Sequence, residues 1–247
     1  MENLALHIQN GVLDGPVSIG FALVALAAFA GCVVLGRRDL DDRLAPMAGL
    51  VAAFIFAVQM LNFPVLPGVS GHLVGGALAA LLVGPWVGAL CVTVVVIVQA
   101  LVFADGGVSA LGPNITNMAL VGTAAAYVLI AALLRVLPRT PTGLAVTAFV
   151  ASVVSTVAAA VGFVLQYALG GTTALEAISL GQVAAAMAGS HLLIGIGEGL
   201  IAATTIVTVA KARPDLVYAL RRLPRITTSG PTRTGTTETV PATGGVA

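Results

Sequence analysis

Charge is what this 247-residue chain most conspicuously lacks: 9% of its residues are Asp, Glu, Lys or Arg, against 58% hydrophobic. A water-soluble globule exposes too much surface to hide that composition in one core, so lipid must be part of the solvent. Cysteine is nearly absent. Cys32 and Cys91 both fall inside apolar runs, which excludes a disulfide framework or a thiolate zinc site. Residues 1–14 carry no Lys or Arg, so the basic segment that opens a cleavable signal peptide is missing and the first apolar run is expected to stay in the membrane. There is no HExxH, GxSxG or GxxxxGK[ST]. An intramembrane hydrolase and an ATPase are therefore unsupported, and the chain is expected not to be an enzyme.

Long apolar runs are what the chain has in plenty. Residues 17–36, 44–63, 85–104, 113–137, 144–169 and 183–210 each supply the ~20 apolar residues a membrane helix needs. Residues 70–84 form a shorter run, by length either a span or a re-entrant segment. Charge favours a crossing. With seven spans and an external N-terminus, all eleven Lys and Arg residues fall on the cytoplasmic side, in 37–43, 135–139 and everything from Lys211 onward. The outer side then keeps Glu2, Asp14, Asp105 and Glu176 and no basic residue, a complete positive-inside bias. Six spans would turn one of the arginine loops outward.

The sequence thus predicts an all-α integral membrane protein of seven transmembrane helices in the plasma membrane. Residues 1–16 are expected as an extracellular segment, 17–211 as the seven-span domain, and 212–247 as a cytoplasmic, largely disordered tail. That tail turns to Thr, Gly and Pro without apolar periodicity after Pro224. On the second span Ala45, Gly49, Ala53 and Ala57 form a row of small residues at spacing four, which permits close helix approach in lipid. The sixth carries a similar row, Ala148, Ser152, Thr156 and Ala160, so packing within the bundle is the commoner explanation.

Polar residues inside apolar runs are costly and point to function. His72 stands at the start of the short third span, after a Pro-rich uncharged loop, and His7 lies just before span one; either alone could be a hydrogen-bonded packing residue. Together, on one side of the membrane with Asp14 and Asp105, two imidazoles suit a divalent transition metal such as nickel, cobalt, copper or zinc. Asn114 and Asn117, one helical turn apart, could orient a ligand histidine from behind or simply cap a helix. His191 and Glu198 share a face of span seven and read first as structural hydrogen-bonding groups.

The segments HIQNGVLDGP, NFPVLPGVSGHLVGGALAALLVGPWVGAL and QALVFADGGVSALGPNITNM carry a family resemblance. Over about residues 7–211 the chain resembles the cobalt/nickel substrate-specific S components of energy-coupling factor ABC transporters, the CbiM/NikM type. The resemblance implies a seven-span subunit that captures Co(II) or Ni(II) as transported substrate, with no resident cofactor. It implies as partners a membrane T component, two cytoplasmic ATPases and a small accessory membrane protein, and no nucleic acid. It also implies that small-residue rows such as Ala45, Gly49, Ala53 and Ala57 meet the T component. In that family the metal is held by an N-terminal amine, the amide and imidazole of the next histidine, and a further imidazole. Residue by residue, the amine falls on Leu6, the amide and first imidazole on His7, and the second imidazole on His72. Five residues precede Leu6 here, so as written that amine is acylated. The expectation is a mature N-terminus at Leu6, read from a leucine-type start codon.

Two other readings stand beside metal capture. An S component for a vitamin requires an aromatic-lined pocket, for which eight Phe, three Tyr and one Trp are sparse. In a membrane assembly protein the histidines would be packing residues.

Overall fold

The computed structural model describes residues 7–42, 44–66, 69–172 and 178–223. Helix α1 (Gly15–Gly36) starts where Asp14 caps it, its Oδ1 accepting the Val17 N–H at 2.8 Å. Helix α2 (Leu44–Gln59) begins the same way on Asp41, which accepts the Leu44 N–H at 2.7 Å. Strands β1 (Asn62–Leu66) and β2 (Val69–His72) then form an antiparallel hairpin that pairs Asn62 with His72 and Phe63 with Gly71. Helix α3 (Gly76–Val83) follows, and α4 (Pro85–Val102) turns back from it at Gly84.

After a 3-10 turn, α5 (Leu111–Ile115), a π-helical stretch (Thr116–Gly122) and α6 (Thr123–Val136) make one continuous rod. The long pair α7 (Pro141–Gly170) and α8 (Leu180–Ala212) and the short α9 (Tyr218–Arg222) complete the bundle.

Five of these helical stretches are long and apolar enough to cross a membrane: α1, α4, the α5–α6 rod, α7 and α8. Helix α2, at 16 residues, is apolar but shorter. On α1 the large side chains Ile19, Leu23 and Leu26 are each more than 60% exposed, as a lipid-facing helix requires.

Three expectations are corrected. The second span was expected to run to Phe63, but the helix stops at Gln59; Pro64 has no N–H for a helix ladder, and the chain enters a strand instead. Residues 70–84 are not one helix. Ser70 to His72 belong to β2, and only Gly76 to Val83 are helical, about 12 Å of rise at 1.5 Å per residue. Finally, the hairpin makes the fold not purely α.

Helix α3 is nevertheless the centre of the core. All eight of its residues are buried, under a shell that includes α2, α4, α6, α7 and α8. An all-round apolar helix with no polar face has no other stable place. Its C-terminal turn at Gly84 (φ +86°) lies against the Tyr218 ring, where a Cβ would come within 2.7 Å. Burial pushes the Tyr218 phenol up to about 12, so the ring docks against Gly84 as a neutral phenol.

Small residues set the helix contacts. The α7 row Ala148, Ser152, Thr156 and Ala160 is buried, and on α8 a Cβ at Gly195 would sit 3.0 Å from the Val153 backbone. Gly112 is tighter still, with a Cβ position 2.3 Å from Ala22 Cα on α1. Valine at position 112 is expected to lower stability by about 1–3 kcal/mol, because it must displace backbone. Gly189→Ala, on an exposed face with open space around it, should be neutral or stabilising. Thermal unfolding in detergent checks both; an unchanged midpoint for the Gly112 variant contradicts the close crossing of α1 and α5.

Candidate metal centre

The segment that carries His7 is stitched to the rest of the chain by its own backbone. The Asn114 carboxamide holds Ile8 from both sides: Oδ1 accepts the Ile8 N–H at 3.1 Å and Nδ2 donates to the Ile8 carbonyl at 3.2 Å. Gly107 N–H donates to that same carbonyl at 2.9 Å. Asn10 Oδ1 accepts from the Ser109 N–H and hydroxyl at 2.9 and 2.8 Å. At the segment's other end Thr172 N–H donates to the Val12 carbonyl, and Asp14 N–H donates to the Gly170 carbonyl at 2.8 Å.

This contact explains why the loop between α4 and α5 reads Asp-Gly-Gly. Gly106 adopts φ +92°, and a Cβ there would meet the His7 Cβ at 2.6 Å; a Cβ on Gly107 would meet the Asn10 backbone at 2.2 Å. Only glycine lets the two segments lie flat together. Asp105 then reaches His7, with Oδ1 3.6 Å from Nδ1.

His72 arrives from the hairpin. The His7 and His72 rings stand 4.5 Å apart, centroid to centroid, at 53°. Both residues are buried. The Nδ1–H of His72 donates to the Leu73 carbonyl at 2.8 Å, which leaves Nε2 as the lone-pair nitrogen. Neither ring nitrogen of His7 has a hydrogen-bond partner among the described residues. A buried imidazole without a hydrogen bond is costly unless something binds it.

Beside the two rings lies a cavity of about 50 Å³. A water occupies roughly 30 Å³ in the liquid, so the space suits a single ion or one or two waters. Among the described residues no three His, Cys, Asp or Glu are close enough to share one metal ion. A metal held by His7 and His72 must therefore complete its shell with backbone nitrogens or solvent.

The remaining sequence candidates are placed as follows. Asn114 is the clasp on Ile8. Asn117 sits in the π-helical stretch, lines the cavity, and donates to Gln166 Oε1 at 2.7 Å; Gly162 makes room for it, since a Cβ there would lie 2.5 Å from its Oδ1. Leu6 lies outside the described residues. Ala45, Gly49, Ala53 and Ala57 are all exposed, and Gly49 has open space where a Cβ would be. Unlike the row on α7, this one packs against nothing within the bundle.

Glu198 and His191 share α8 but not a hydrogen bond. The Glu198 carboxylate accepts the Val74 N–H at 2.6 Å, the Gly75 N–H at 3.1 Å and the Thr156 hydroxyl at 3.3 Å. Gln59 of α2 donates to the Val74 carbonyl at 2.9 Å. The chain just after His72 is thus gripped by two helices, α2 and α8, and nothing in the sequence pattern alone pairs a carboxylate on the last span with it. His191 lines the same cavity as His7 and His72.

Residues 7–216 match the family model for the cobalt uptake substrate-specific transmembrane region, CbiM. This chain belongs to the CbiM family. Among the CbiM-like relatives, a putative metal transport protein of Haloquadratum walsbyi is 39% identical over 214 residues, 86% of this chain and 94% of the relative. A putative fused nickel transport protein, NikMN, of Archaeoglobus fulgidus is 37% identical over 86% of this chain and 68% of its own. The cobalt transport protein CbiM of Geobacter sulfurreducens is 32% identical, over 86% and 62%. A solved truncated transition metal transporter superposes with a TM-score of 0.74 at 26% identity, covering 83% of this chain and 99% of that one. The CbiM assignment and the five long apolar helices together make this a multi-pass membrane protein.

Replacing Asn114 by Ala leaves the Ile8 N–H without its acceptor, so a loss of about 1–3 kcal/mol is expected. Hydrogen exchange of the Ile8 to Asn10 amides should speed up in step. Unchanged exchange there contradicts the clasp.

Proposed function

We propose that this chain captures Co(II) or Ni(II) at the outer face of the plasma membrane as the substrate-binding subunit of an energy-coupling factor importer. The observation that carries this is the buried His7–His72 pair, with His7 lacking any hydrogen-bond partner among the described residues. Imidazole nitrogen without thiolate suits nickel, cobalt and copper. The remaining donors are the His7 amide nitrogen and the Leu6 amine, which is free once Leu6 begins the mature chain. Four nitrogens in fused chelate rings suit a planar ion, and Asp105 beside His7 orients its ring. Asn114 and Asn117 support the same site from behind.

Seven crossings follow if α2 and the hairpin with α3 each traverse the bilayer along with the five long helices. The N-terminus is then external and the arginine-bearing loops cytoplasmic, as the charge bias favours. Transport is energised by a T component and two ATPases, possessed by the complex and not by this subunit. The unpacked row Ala45, Gly49, Ala53 and Ala57 supports a docking face on α2 for the T component, because small residues facing outward give a partner helix close backbone approach.

The vitamin reading fares worse on size. A cavity of about 50 Å³ lined by one aromatic besides the histidines, Phe163, has no room for an organic ring system. Equilibrium binding decides between capture and packing. His72→Ala should weaken Ni(II) and Co(II) binding by about 10²-fold or more while the protein stays folded, since a ligand is lost from a desolvated site. Equal affinity in the variant removes His72 from the site.

A further inference from the structure

His191 has no part in the ligand set above, yet it lines the cavity beside which His7 and His72 stand. It is buried, and its Nδ1 faces the Met187 carbonyl at 2.8 Å, one turn back along α8. A carbonyl only accepts, so Nδ1 carries the proton and Nε2 keeps a lone pair. A lone-pair nitrogen on a residue that lines a cavity of ion size is a candidate metal ligand. Among the described residues no three side chains of ligand type are close enough to hold one ion together, so His191 is not a third resident ligand of the outer pair.

Release is the chemical problem that such a residue solves. An ion held in fused chelate rings leaves slowly by simple dissociation, and planar d⁸ ions exchange ligands associatively, with the entering donor bound before the leaving one departs. A fixed imidazole in the same cavity acts as that entering donor at high effective concentration. The frame is rigid, because Glu198, two turns further along the same helix, holds the Val74 and Gly75 amides that follow His72.

We infer that His191 is a second metal station, an imidazole that takes the ion from the His7–His72 pair on its way through the protein. The inference rests on the metal-capture reading. Ni(II) or Co(II) passes from one nitrogen set to another with no change in oxidation state; the Nε2 lone pair forms the new bond as a bond to the first set breaks.

The chain has three histidines, which makes the test clean. In untagged His7→Ala/His72→Ala protein, His191 is the only imidazole left. Cu(II) added as probe should bind with the pulsed-EPR modulation of one coordinated imidazole, and His191→Ala in that background should abolish it. Absence of imidazole modulation in the double variant overturns the station. His191→Gln in the otherwise intact protein is the second arm, since its amide still donates to Met187. Ni(II) affinity should stay within about twofold while transfer to excess EDTA slows by about tenfold, a barrier change of one decade. An unchanged transfer rate, or a loss of affinity as large as that of His72→Ala, also overturns it. Failure of the wild-type protein to bind Ni(II) at all would instead sink the capture reading beneath it.

Discussion

Everything about the site depends on bringing a stretch of non-helical backbone into a protein that is otherwise apolar helix. Backbone N–H and C=O groups that leave water must find partners, at several kcal/mol apiece if they fail. The segment from His7 to Asp14 meets that demand with the Asn114 carboxamide, the Gly107 and Thr172 amides, and the Gly170 carbonyl. Once its backbone is satisfied, His7 is held against His72 with its ring nitrogens left over. The same accounting applies to the chain after His72, where Glu198 and Gln59 supply the partners and Thr156 donates to Glu198 in turn. Two short polar seams therefore hold the two imidazoles in register, and the long helices act as their scaffold.

Lipid as solvent explains why the scaffold is built as it is. Burying apolar side chains gains little when the tails outside are equally apolar, so contact distance decides which helices pack. Gly112 against Ala22, Gly195 against Val153 and Gly199 against Phe149 are backbone-close crossings that any side chain would open. The row of small residues on α2, spaced by four like the buried row on α7, is left facing outward. Spacing alone cannot distinguish a used face from a free one; only the three-dimensional neighbours can.

That difference marks what was legible in the residues. Six long apolar runs and one short one were read as seven spans, and five of the long runs are membrane-length helices, because composition over about 20 residues is a strong signal. The hairpin was not legible: β1 and β2 are apolar and follow an apolar helix, so nothing in hydropathy separates them from a continued span. His7, His72 and Asp105 were singled out because polar groups in an apolar chain are few, and they do converge. The Asn114 clasp and the glycine pair at 106 and 107 were harder, since their roles exist only once a segment a hundred residues away lies on them. His191 was read as structural because its membership of the cavity depends on how α8 packs, a fact no periodicity contains.

The central claim is that one ion is shared by His7 and His72, each held in place by its own polar seam. X-ray absorption at the nickel edge of the loaded, untagged protein tests it directly. The account predicts a nitrogen-only first shell with the outer-shell scattering of two imidazoles. A shell containing one imidazole, or oxygen or sulfur in place of nitrogen, would contradict it.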